Sequence, residues 1–501
     1  MKGYKDVDAV RMQQRERPAL NSVHRSSLLV PEIAGATAEI AFLNHFLIKR
    51  NYPHVGCRIT GVDRVGKRIE SQLYPITERR VYRFNLTELF GGKASAYQVE
   101  FFAPENLFVP FPAVMINHYG GDFINTVHAF NRVLNDVFEE DEQTRSDVAE
   151  TGIEVTLSNE IDTVCWLMGG MSPSVGTAEL TLDTPDGANY ASVPLALSRF
   201  GVQQISLRDV FPGVGHVRNG LLRVKQPPQA MFFGRLLGVQ SLPQTGAFSG
   251  NHSFYDTREL DETWDNDRPS SQIFAYAPEL APRIRIHPEF PADRAIALTL
   301  TFFDHQGNEL RTLDAGTLER PGRHLELDIA RTIEACGLDG NVVGSFDLSA
   351  SPKSGNTLMR IAYHLVYGKT GVEGSSIFAL GNPNVKPRDP AKGRTWGQAV
   401  VGSAFKTWLA VAAGLRSDAP TNCTFEFYDE RGPLATRRFQ IVPNGGLVID
   451  VERELASELE GMLEQHHTPV WFYLDADRSD INAHAVTTHR VNGNTTVEHT
   501  F

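Results

Sequence analysis

Cysteine is scarce in this chain of 501 residues, which contains four: Cys57, Cys165, Cys336 and Cys423. None of them forms a C-x-x-C pair, and they lie far apart in the sequence. A disulfide framework or a zinc knuckle requires clustered cysteines. We therefore expect isolated thiols.

Long apolar runs are also missing. The amino terminus has no apolar core of the kind found in signal peptides, and no run reaches the roughly 18 apolar residues of a membrane span. The apolar fraction of 41% and the charged fraction of 22% are typical of soluble globular proteins. We expect no membrane span and a cytoplasmic location by default, and export by a route without a classical signal stays open.

Positive charge is in deficit. Lys and Arg together number 48 against 60 Asp and Glu, which gives a formal net charge of −12. A chain without a domain-wide basic surface is poorly suited to displace counterions from a phosphate backbone, so no nucleic-acid partner is expected. The motifs G-x-x-x-x-G-K-[ST], strand–GxGxxG–helix and G-x-S-x-G are absent as well, and the sequence supports neither nucleotide binding nor a serine nucleophile.

What the chain has instead is a repeat. The tripeptides H-A-F, H-S-F, S-I-F and H-T-F begin at His128, His252, Ser376 and His499. Their starting positions lie 124, 124 and 123 residues apart. One tripeptide at a fixed interval is weak support, so further landmarks are needed.

Two further landmarks recur in the same order. Glycines of Asp-containing turns stand at 66, 187, 307 and 432, in steps of 121, 120 and 125 residues. In such turns Asp accepts hydrogen bonds from nearby amides and Gly adopts positive φ, as hairpin loops require. Leu86, Leu207 and Leu327 each follow their glycine by 20 residues, and the last equivalent stretch, around Ile449, comes earlier. The three landmarks together predict a fourfold internal repeat.

The repeat defines the predicted domains. Acidic or proline-rich connectors, which bury little apolar surface, separate the units. The predicted division is an N-terminal arm over 1–25 and four repeats of about 105–124 residues over 26–135, 150–256, 270–380 and 396–501.

Within the units, apolar residues alternate with period two. A-L-T-L-T-F at 297–302 and T-F-E-F-Y at 424–428 are typical half-buried strands. Short strands between Gly, Pro and Asp turns predict a mostly β protein of four tandem antiparallel β-sandwiches, of immunoglobulin or fibronectin type. Helical signal is confined to 131–140, 329–337 and 451–465.

Histidines at the repeated position are candidate ligands for a metal or a sugar, because imidazole ligates metals and hydrogen-bonds readily. The alternative is that each ring satisfies a buried backbone group near the last strand. That alternative is favoured because the third unit has Ser376 instead and one ligand per repeat is too few, unless histidines of two units meet. Five histidines stand at this position or ten residues before it: His118, His128, His252, His489 and His499.

Two tyrosines and three aspartates complete the candidates. Tyr119 and Tyr255, beside repeated histidines, could stack on a sugar ring, or pack at a domain boundary instead. Asp475, Asp477 and Asp480 offer the oxygen ligands that calcium prefers, although the glycine and distant glutamate of an EF-hand are missing. A solvated loop is the alternative for this segment.

Three functions remain open. The favoured one is a non-catalytic interaction protein that binds a glycan or a protein partner through loops and strand edges. The second is a metal-dependent enzyme with a histidine site at a junction between repeats. The third is a structural subunit of a larger assembly, for example of a homo-oligomer. No motif predicts a cofactor, and a metal ion is the one candidate left open.

Overall fold

The computed structural model describes residues 12, 24–103, 113–128, 131–133, 151–170, 172–184, 186–227, 231–234, 237–241, 248–255, 263–264, 269–287, 295–319, 324–340, 343–353, 357–358, 361–368, 373–380, 393–413, 419–478 and 481–501. The predicted arm over 1–25 lies almost wholly outside these ranges. Within them, no helix is long and apolar enough to cross a membrane.

Strands make up most of the regular structure and fall into four groups along the chain. The first group is β1 (His24–Pro31), β2 (Thr37–Leu43), β3 (Val55–Val62), β4 (Arg68–Ile76), β5 (Val81–Asn85), β6 (Ala96–Ala103), β7 (Met115–Tyr119), β8 (Ile124–His128) and β9 (Asn131–Val133). The second is β10 (Thr151–Leu157), β11 (Asp162–Met168), β12 (Ser174–Thr184), β13 (Gly187–Leu197), β14 (Val202–Ser206), β15 (Val217–Lys225), β16 (Met231–Gly234), β17 (Leu237–Ser241), β18 (Phe248–His252) and β19 (Phe254–Tyr255).

The second half of the chain continues the pattern. The third group is β20 (Thr263–Trp264), β21 (Ser270–Tyr276), β22 (Arg283–Ile286), β23 (Ile296–Phe303), β24 (Glu309–Leu318), β25 (Leu325–Asp328), β26 (Gly344–Pro352), β27 (Thr357–Leu358), β28 (Ile361–Tyr367) and β29 (Gly374–Leu380). The fourth is β30 (Gly393–Val401), β31 (Phe405–Ala413), β32 (Thr421–Asp429), β33 (Gly432–Ile441), β34 (Gly446–Asp450), β35 (Thr468–Ala476), β36 (Ile481–His489) and β37 (Thr495–His499). The helices are short: α1 (His45–Arg50), α2 (Leu86–Leu89), α3 (Leu207–Val210), α4 (Ile329–Ala335) and α5 (Val451–Glu454).

The strand order is the same in all four groups. If the main strands of each repeat are numbered 1 to 8, one sheet has the order 1-6-3-4 and the other 5-2-7-8, all antiparallel. These main strands are β1–β8, then β10–β15 with β17 and β18, then β21–β26 with β28 and β29, and finally β30–β37. The chain is therefore mostly β and forms about four sandwich-like units, each of two sheets with four main strands.

The immunoglobulin or fibronectin type is not confirmed. Constant-type immunoglobulin sandwiches place strands A, B, E and D in one sheet and C, F and G in the other, which differs from the order found here. The exact domain boundaries stay a prediction.

Each sandwich buries its own apolar interior, as the period-two pattern predicts. In β32 of the fourth repeat, Cys423, Phe425 and Phe427 are at most 1% exposed and pack against Leu409 and Val411 of the opposing sheet. Burying a side chain of this size stabilises the fold by about 1.5–3 kcal/mol. A separate apolar cluster fills the second repeat, and the cluster of the third repeat extends to Ala410, Val486 and Val497 of the fourth.

The predicted turn glycines join strands 3 and 4 of each sandwich. Gly66, Gly187, Gly307 and Gly432 have φ of 75°, 135°, 77° and 134°. In the third repeat, Asp304 Oδ1 accepts hydrogen bonds from the amides of Gln306 and Asn308 at 2.8 and 2.9 Å. The hairpin chemistry expected from the sequence is confirmed at this landmark.

A one-turn helix or slightly longer one follows strand 5 in every repeat. Its N-cap is Asn85, Ser206, Asp328 or Asp450, and each side chain accepts from the amide three residues later. The first helical residues are Leu86, Leu207, Ile329 and Val451, all fully buried. The third landmark is thus corrected in repeats 3 and 4, where Ile329 and Val451, not Leu327 and Ile449, are equivalent to Leu86.

The three helix predictions have different outcomes. The helix expected over 329–337 is confirmed as α4, whereas that over 451–465 shortens to α5 with turns behind it. The stretch over 131–140 begins as strand β9, since Asn131 to Val133 pair with β16 and Ser27 with Val133; its remainder lies outside the described residues.

The chain divides into two compact units, residues 1–183 with 188–255, and residues 184–187 with 256–501. Within the first unit, a Cβ added to Gly66 would lie 1.9 Å from the carbonyl oxygen of Arg199, in the second repeat. Within the second unit, a Cβ on Gly307 would lie 1.9 Å from the carbonyl oxygen of Pro443, in the fourth repeat. The same turn therefore packs against the same loop, between strands 4 and 5, in both units.

Candidate functional site

His128 and His252 meet inside the first unit. They are the last residues of β8 and β18, which are strand 8 of repeats 1 and 2, and are 8% and 3% exposed. Their ring centroids lie 4.4 Å apart with the ring planes at 81°, and a nitrogen of each lies within 4.8 Å of one on the other. Histidines from two repeats therefore meet at this pair, which is the condition stated above for a histidine site.

The neighbouring backbone fixes the position of these strands. The amide of Gly250 in β18 donates to Asn125 Oδ1 of β8 at 2.6 Å. A Cβ on Gly250 would lie 3.2 Å from Asn125 Nδ2, so the strands approach closely at this point. The two imidazoles are therefore held side by side by a buried contact between repeats.

The tautomer of His252 follows from its contacts. Its Nδ1 lies 2.8 Å from the carbonyl oxygen of Ser253. Because a carbonyl oxygen only accepts, Nδ1 carries the proton and Nε2 carries the lone pair. A histidine that donates through one nitrogen to a backbone carbonyl is the usual arrangement of a metal ligand. His128 and His252 could therefore hold a metal ion.

His499 has the same local arrangement in the second unit. Its Nδ1 lies 2.9 Å from the carbonyl oxygen of Thr500, and its amide donates to Glu498 Oε1 at 2.9 Å. Its ring packs at 5.7 Å from that of Phe378. Ser376, which replaces the repeated histidine, donates to Glu498 Oε1 at 3.3 Å. The junction of repeats 3 and 4 thus combines imidazole, phenyl and carboxylate groups.

The two accompanying histidines support the backbone. His118 is 1% exposed, and its Nε2 donates to the carbonyl oxygen of Pro31 at 2.9 Å. Burial lowers its pKa to about 4. In the turn between β36 and β37, His489 Nδ1 accepts from the amides of Val491 and Asn492 at 3.4 and 3.3 Å. These contacts agree with the structural interpretation of both residues.

The structure describes the side chain of one of the two candidate tyrosines. Tyr119 is half-buried at the end of β7 and accepts a hydrogen bond from Asn85 Nδ2 at 3.3 Å. Burial raises its pKa, and Glu39 raises it further. Tyr255 pairs with Thr151 through its backbone, and its side chain lies outside the description. Sugar stacking by either ring stays a prediction.

Two of the three aspartates proposed for calcium have protein partners at the strand end. Asp475 lies 3.6 Å from Arg394 Nε in a half-exposed ion pair. Asp477 accepts from the amide and side chain of Asn422 at 3.0 and 2.8 Å. Asp480 lies outside the described residues. Calcium binding here stays a prediction.

A second histidine cluster, in the third repeat, was not predicted from the sequence. His287 lies 4.7 Å from His324 and 5.9 Å from His364, measured between ring centroids. The three residues are 37 and 40 positions apart and share no motif. The only available signal is R-I-R-I-H at 283–287, in which polar residues alternate with core isoleucines.

Comparisons with known proteins add little. No protein-family model and no curated protein sequence matches the chain. A calcium-binding mutant of Bacteroides uniformis beta-glucuronidase 2 is similar at 8% identity and a TM-score of 0.12, over 53% of this chain and 28% of that one. A crystal structure of Bacteroides uniformis beta-glucuronidase gives 10% identity and a TM-score of 0.11, over 52% of this chain and 28% of that one. Likenesses at these scores carry no argument about function.

Proposed function

We propose that this chain is a non-catalytic interaction protein that binds an extended segment of a protein partner along β24 of the third repeat. The supporting observation is that β24 is the last strand of its sheet and borders an apolar cavity. The cavity has a volume of about 290 Å³. Leu310, a β24 residue that is 50% exposed, forms part of its wall.

A terminal strand and an adjoining cavity suit peptide recognition. The outer edge of such a strand offers backbone N–H and C=O groups to another chain. In strand addition, main-chain hydrogen bonds supply affinity, and pockets for alternate side chains supply specificity. Phe302, Ile333, Leu338 and Val343 line the cavity, so an apolar side chain of the partner is the expected occupant.

The other strands at the equivalent position are less suited to this role. The strands β4, β13 and β33 each contain a proline, at Pro75, Pro194 and Pro433 respectively. Proline removes a backbone donor and is a common way to protect an edge from pairing. β24 has ten residues and no proline, which favours it over the other three.

A library of displayed linear peptides, panned on the full-length protein, tests the proposal. We expect enrichment of peptides with one apolar anchor. The Leu310→Lys variant should bind these peptides with a dissociation constant at least about tenfold higher than that of wild type, a loss of about 1.4 kcal/mol of binding free energy. Val491→Lys is the matched control, because Val491 is 90% exposed but lies in the turn after β36.

Two outcomes would contradict peptide recognition. One is the absence of enriched peptides from wild-type protein. The other is equal affinity of wild type and Leu310→Lys, measured by fluorescence anisotropy. Binding on a glycan array without any peptide binding would support the glycan alternative instead.

A metal-dependent role is a second candidate, supported by the meeting of His128 and His252. We propose that the two imidazoles supply nitrogen ligands to a late first-row divalent metal, with the remaining positions left for water or substrate. An ion bound in this way would act as a Lewis acid or activate water. No reaction is assigned to it.

Metal stoichiometry tests this second candidate. Chelator-treated protein is reloaded with zinc, and bound metal is measured by mass spectrometry for wild type, His252→Gln and His54→Gln. We expect His252→Gln to lose one equivalent, because Nε2 would no longer be available. His54→Gln is the control at an exposed imidazole. Equal zinc content in wild type and His252→Gln would contradict the site.

A further inference from the structure

The cavity beside β24 has acidic side chains in its wall. Among the described residues, twelve line it: two of them, Asp304 and Asp339, are acidic, and none is Lys, Arg or His. Asp304 is half-buried in the turn before β24, and Asp339 is exposed in the segment after α4. The rest of the wall is mainly apolar or aromatic. An apolar side chain that enters the cavity therefore brings its neighbours in the partner chain close to carboxylates.

The carboxyl group of Asp304 is ionised at neutral pH. Partial burial raises its pKa, but hydrogen bonds from Asn308 and Gln306 outweigh this effect and lower the pKa below its usual value. Oδ1 accepts from the amides of Gln306 and Asn308 at 2.8 and 2.9 Å, and Oδ2 accepts from Asn308 Nδ2 at 3.0 Å. Because these donors are neutral, the negative charge beside the cavity is not cancelled by them.

The strand itself adds little positive charge. β24 contains one basic residue, Arg311, and two acidic ones, Glu309 and Asp314. Arg311 Nη1 donates to the carbonyl oxygen of Cys336 at 3.2 Å. Cys336 is the C-cap of α4, a position at which basic side chains favourably satisfy helix carbonyls. The guanidinium is thus engaged at the helix end, and the strand and the cavity together favour a cationic partner.

Two β-bulges delimit the part of β24 that a partner can pair with. In the pairing of β24 with β23, the register shifts at Leu310 and again at Ala315. Between these bulges, residues 311–314 pair in regular register with residues 299–302. Bulges bend a strand and re-aim its side chains. Leu310, the bulged residue at one end of the regular stretch, lines the cavity, so the anchor of the partner enters at the end of a short paired segment.

The charge and the length of this surface narrow the class of partner. In strand addition, pockets select particular side chains, and complementary charge steers association and disfavours wrong partners. A long cationic side chain near the anchor would approach Asp304 and Asp339. We infer, on the basis of the function proposed above, that the partner segment pairs with the four residues 311–314 and carries a Lys or Arg within two positions of its apolar anchor.

Synthetic variants of one enriched peptide, bound to the full-length protein, test the charge requirement. Fluorescence anisotropy compares a peptide that has Lys beside its anchor with versions that have Gln or Glu there. We expect a dissociation constant about threefold higher for Gln and about tenfold higher for Glu. The preference for Lys should shrink as salt rises from about 0.05 to about 0.5 M. Equal binding of the three peptides at low salt would overturn the inference.

Substitutions then assign the preference to the cavity wall. Asp339→Asn should bind the Lys peptide about threefold more weakly than wild type does, and the Gln peptide equally well. Glu319→Gln is the matched control, because it removes the same charge at an exposed position just beyond the opposite end of β24. It should bind all three peptides as wild type does. Unchanged affinity of Asp339→Asn for the Lys peptide, or an equal loss in both variants, would refute the role of the wall.

Failure of the proposed function gives a different result. If no peptide binds, or if binding persists in Leu310→Lys, β24 is not the binding edge and both claims are wrong. If apolar peptides bind and lose affinity in Leu310→Lys but are indifferent to charge, only the cationic partner is refuted. Self-association of the full-length protein that Leu310→Lys abolishes, measured by analytical ultracentrifugation, would make a second copy the occupant and would also refute it.

Discussion

At the residue scale, the buried carboxyl group of Asp347 makes the stability of the fold depend on pH. It lies in β26 between Ile273 and Thr301 of the neighbouring strands and is 5% exposed. Burial raises its pKa to about 8, against a smaller lowering by a backbone hydrogen bond from Gln272. The folded protein therefore keeps a proton that the unfolded chain releases at a pH near 4.

The sign of the pH dependence follows. Between pH 4 and 8 the folded state binds one more proton than the unfolded state, so the free energy of unfolding falls as pH rises, by about 1.4 kcal/mol per pH unit. We expect this slope to disappear in Asp347→Asn, measured by urea unfolding of the second unit at several pH values. Asp186→Asn, at an exposed carboxyl, should keep it. An identical slope in wild type and Asp347→Asn would contradict the proposed protonation.

The residues of the candidate sites were predictable only in part. His128 and His252 occupy the same position in two repeats, so their equivalence could be predicted from the sequence. Their contact could not, because it depends on how two sandwiches pack. The partners of His118 and His489 are a carbonyl 87 residues away and amides of a turn, and sequence spacing indicates neither. His287 has no counterpart at a repeated position and could not be singled out.

At the scale of elements, the turn between strands 3 and 4 connects the repeats within each unit. Gly307 has φ of 77°, and a Cβ there would lie 1.9 Å from the carbonyl oxygen of Pro443. The turn is therefore both conformationally restricted and in close contact with the fourth repeat. Gly66 repeats this geometry against Arg199 in the first unit.

Alanine substitutions separate the backbone strain at positive φ from the contact between repeats. Gly337 has φ of 69° in the same repeat, and a Cβ there would meet no atom within 4 Å. Gly337→Ala should cost only backbone strain, about 1–2 kcal/mol. Gly307→Ala should cost roughly 1–3 kcal/mol more, because the turn must move away from Pro443. The measurement is urea unfolding of both variants, and equal destabilisation would argue against the inter-repeat contact.

The sequence predicts these elements unevenly. Turn glycines are identifiable because positive φ restricts the residue type. The one-turn helices after strand 5 are harder to align, since their caps are Asn, Ser or Asp and their first residue is Leu, Ile or Val. The alignment by Leu327 and Ile449 was therefore wrong by two residues.

At the scale of the whole molecule, the fourfold repeat was predictable and the strand order was not. Landmarks at intervals of about 124 residues reveal duplication directly. The order 1-6-3-4 and 5-2-7-8 depends on pairings such as β1 with β6 and β31 with β36, which join segments some 70 residues apart. Alternating apolar residues identify such strands without specifying their partners.

The terminal strands of the two sheets have different surroundings. Strand 8 of the third repeat, β29, is last in its sheet but packs against β37, and a Cβ on Gly374 would lie 2.5 Å from the carbonyl oxygen of Thr495. Strand 4 of the same repeat, β24, is also last in its sheet, and most of its residues from Glu309 to Asp314 are exposed. Of these two terminal strands, β24 is the more exposed, as the proposed partner binding requires.

Hydrogen–deuterium exchange of the full-length protein, resolved to single amides, tests this claim most directly. We expect rapid exchange for the outward amides of β24 and protection for those of β29, although both strands end a sheet. The β24 amides should become protected when an enriched peptide is added. Equal protection of β24 and β29 in the protein alone would contradict it.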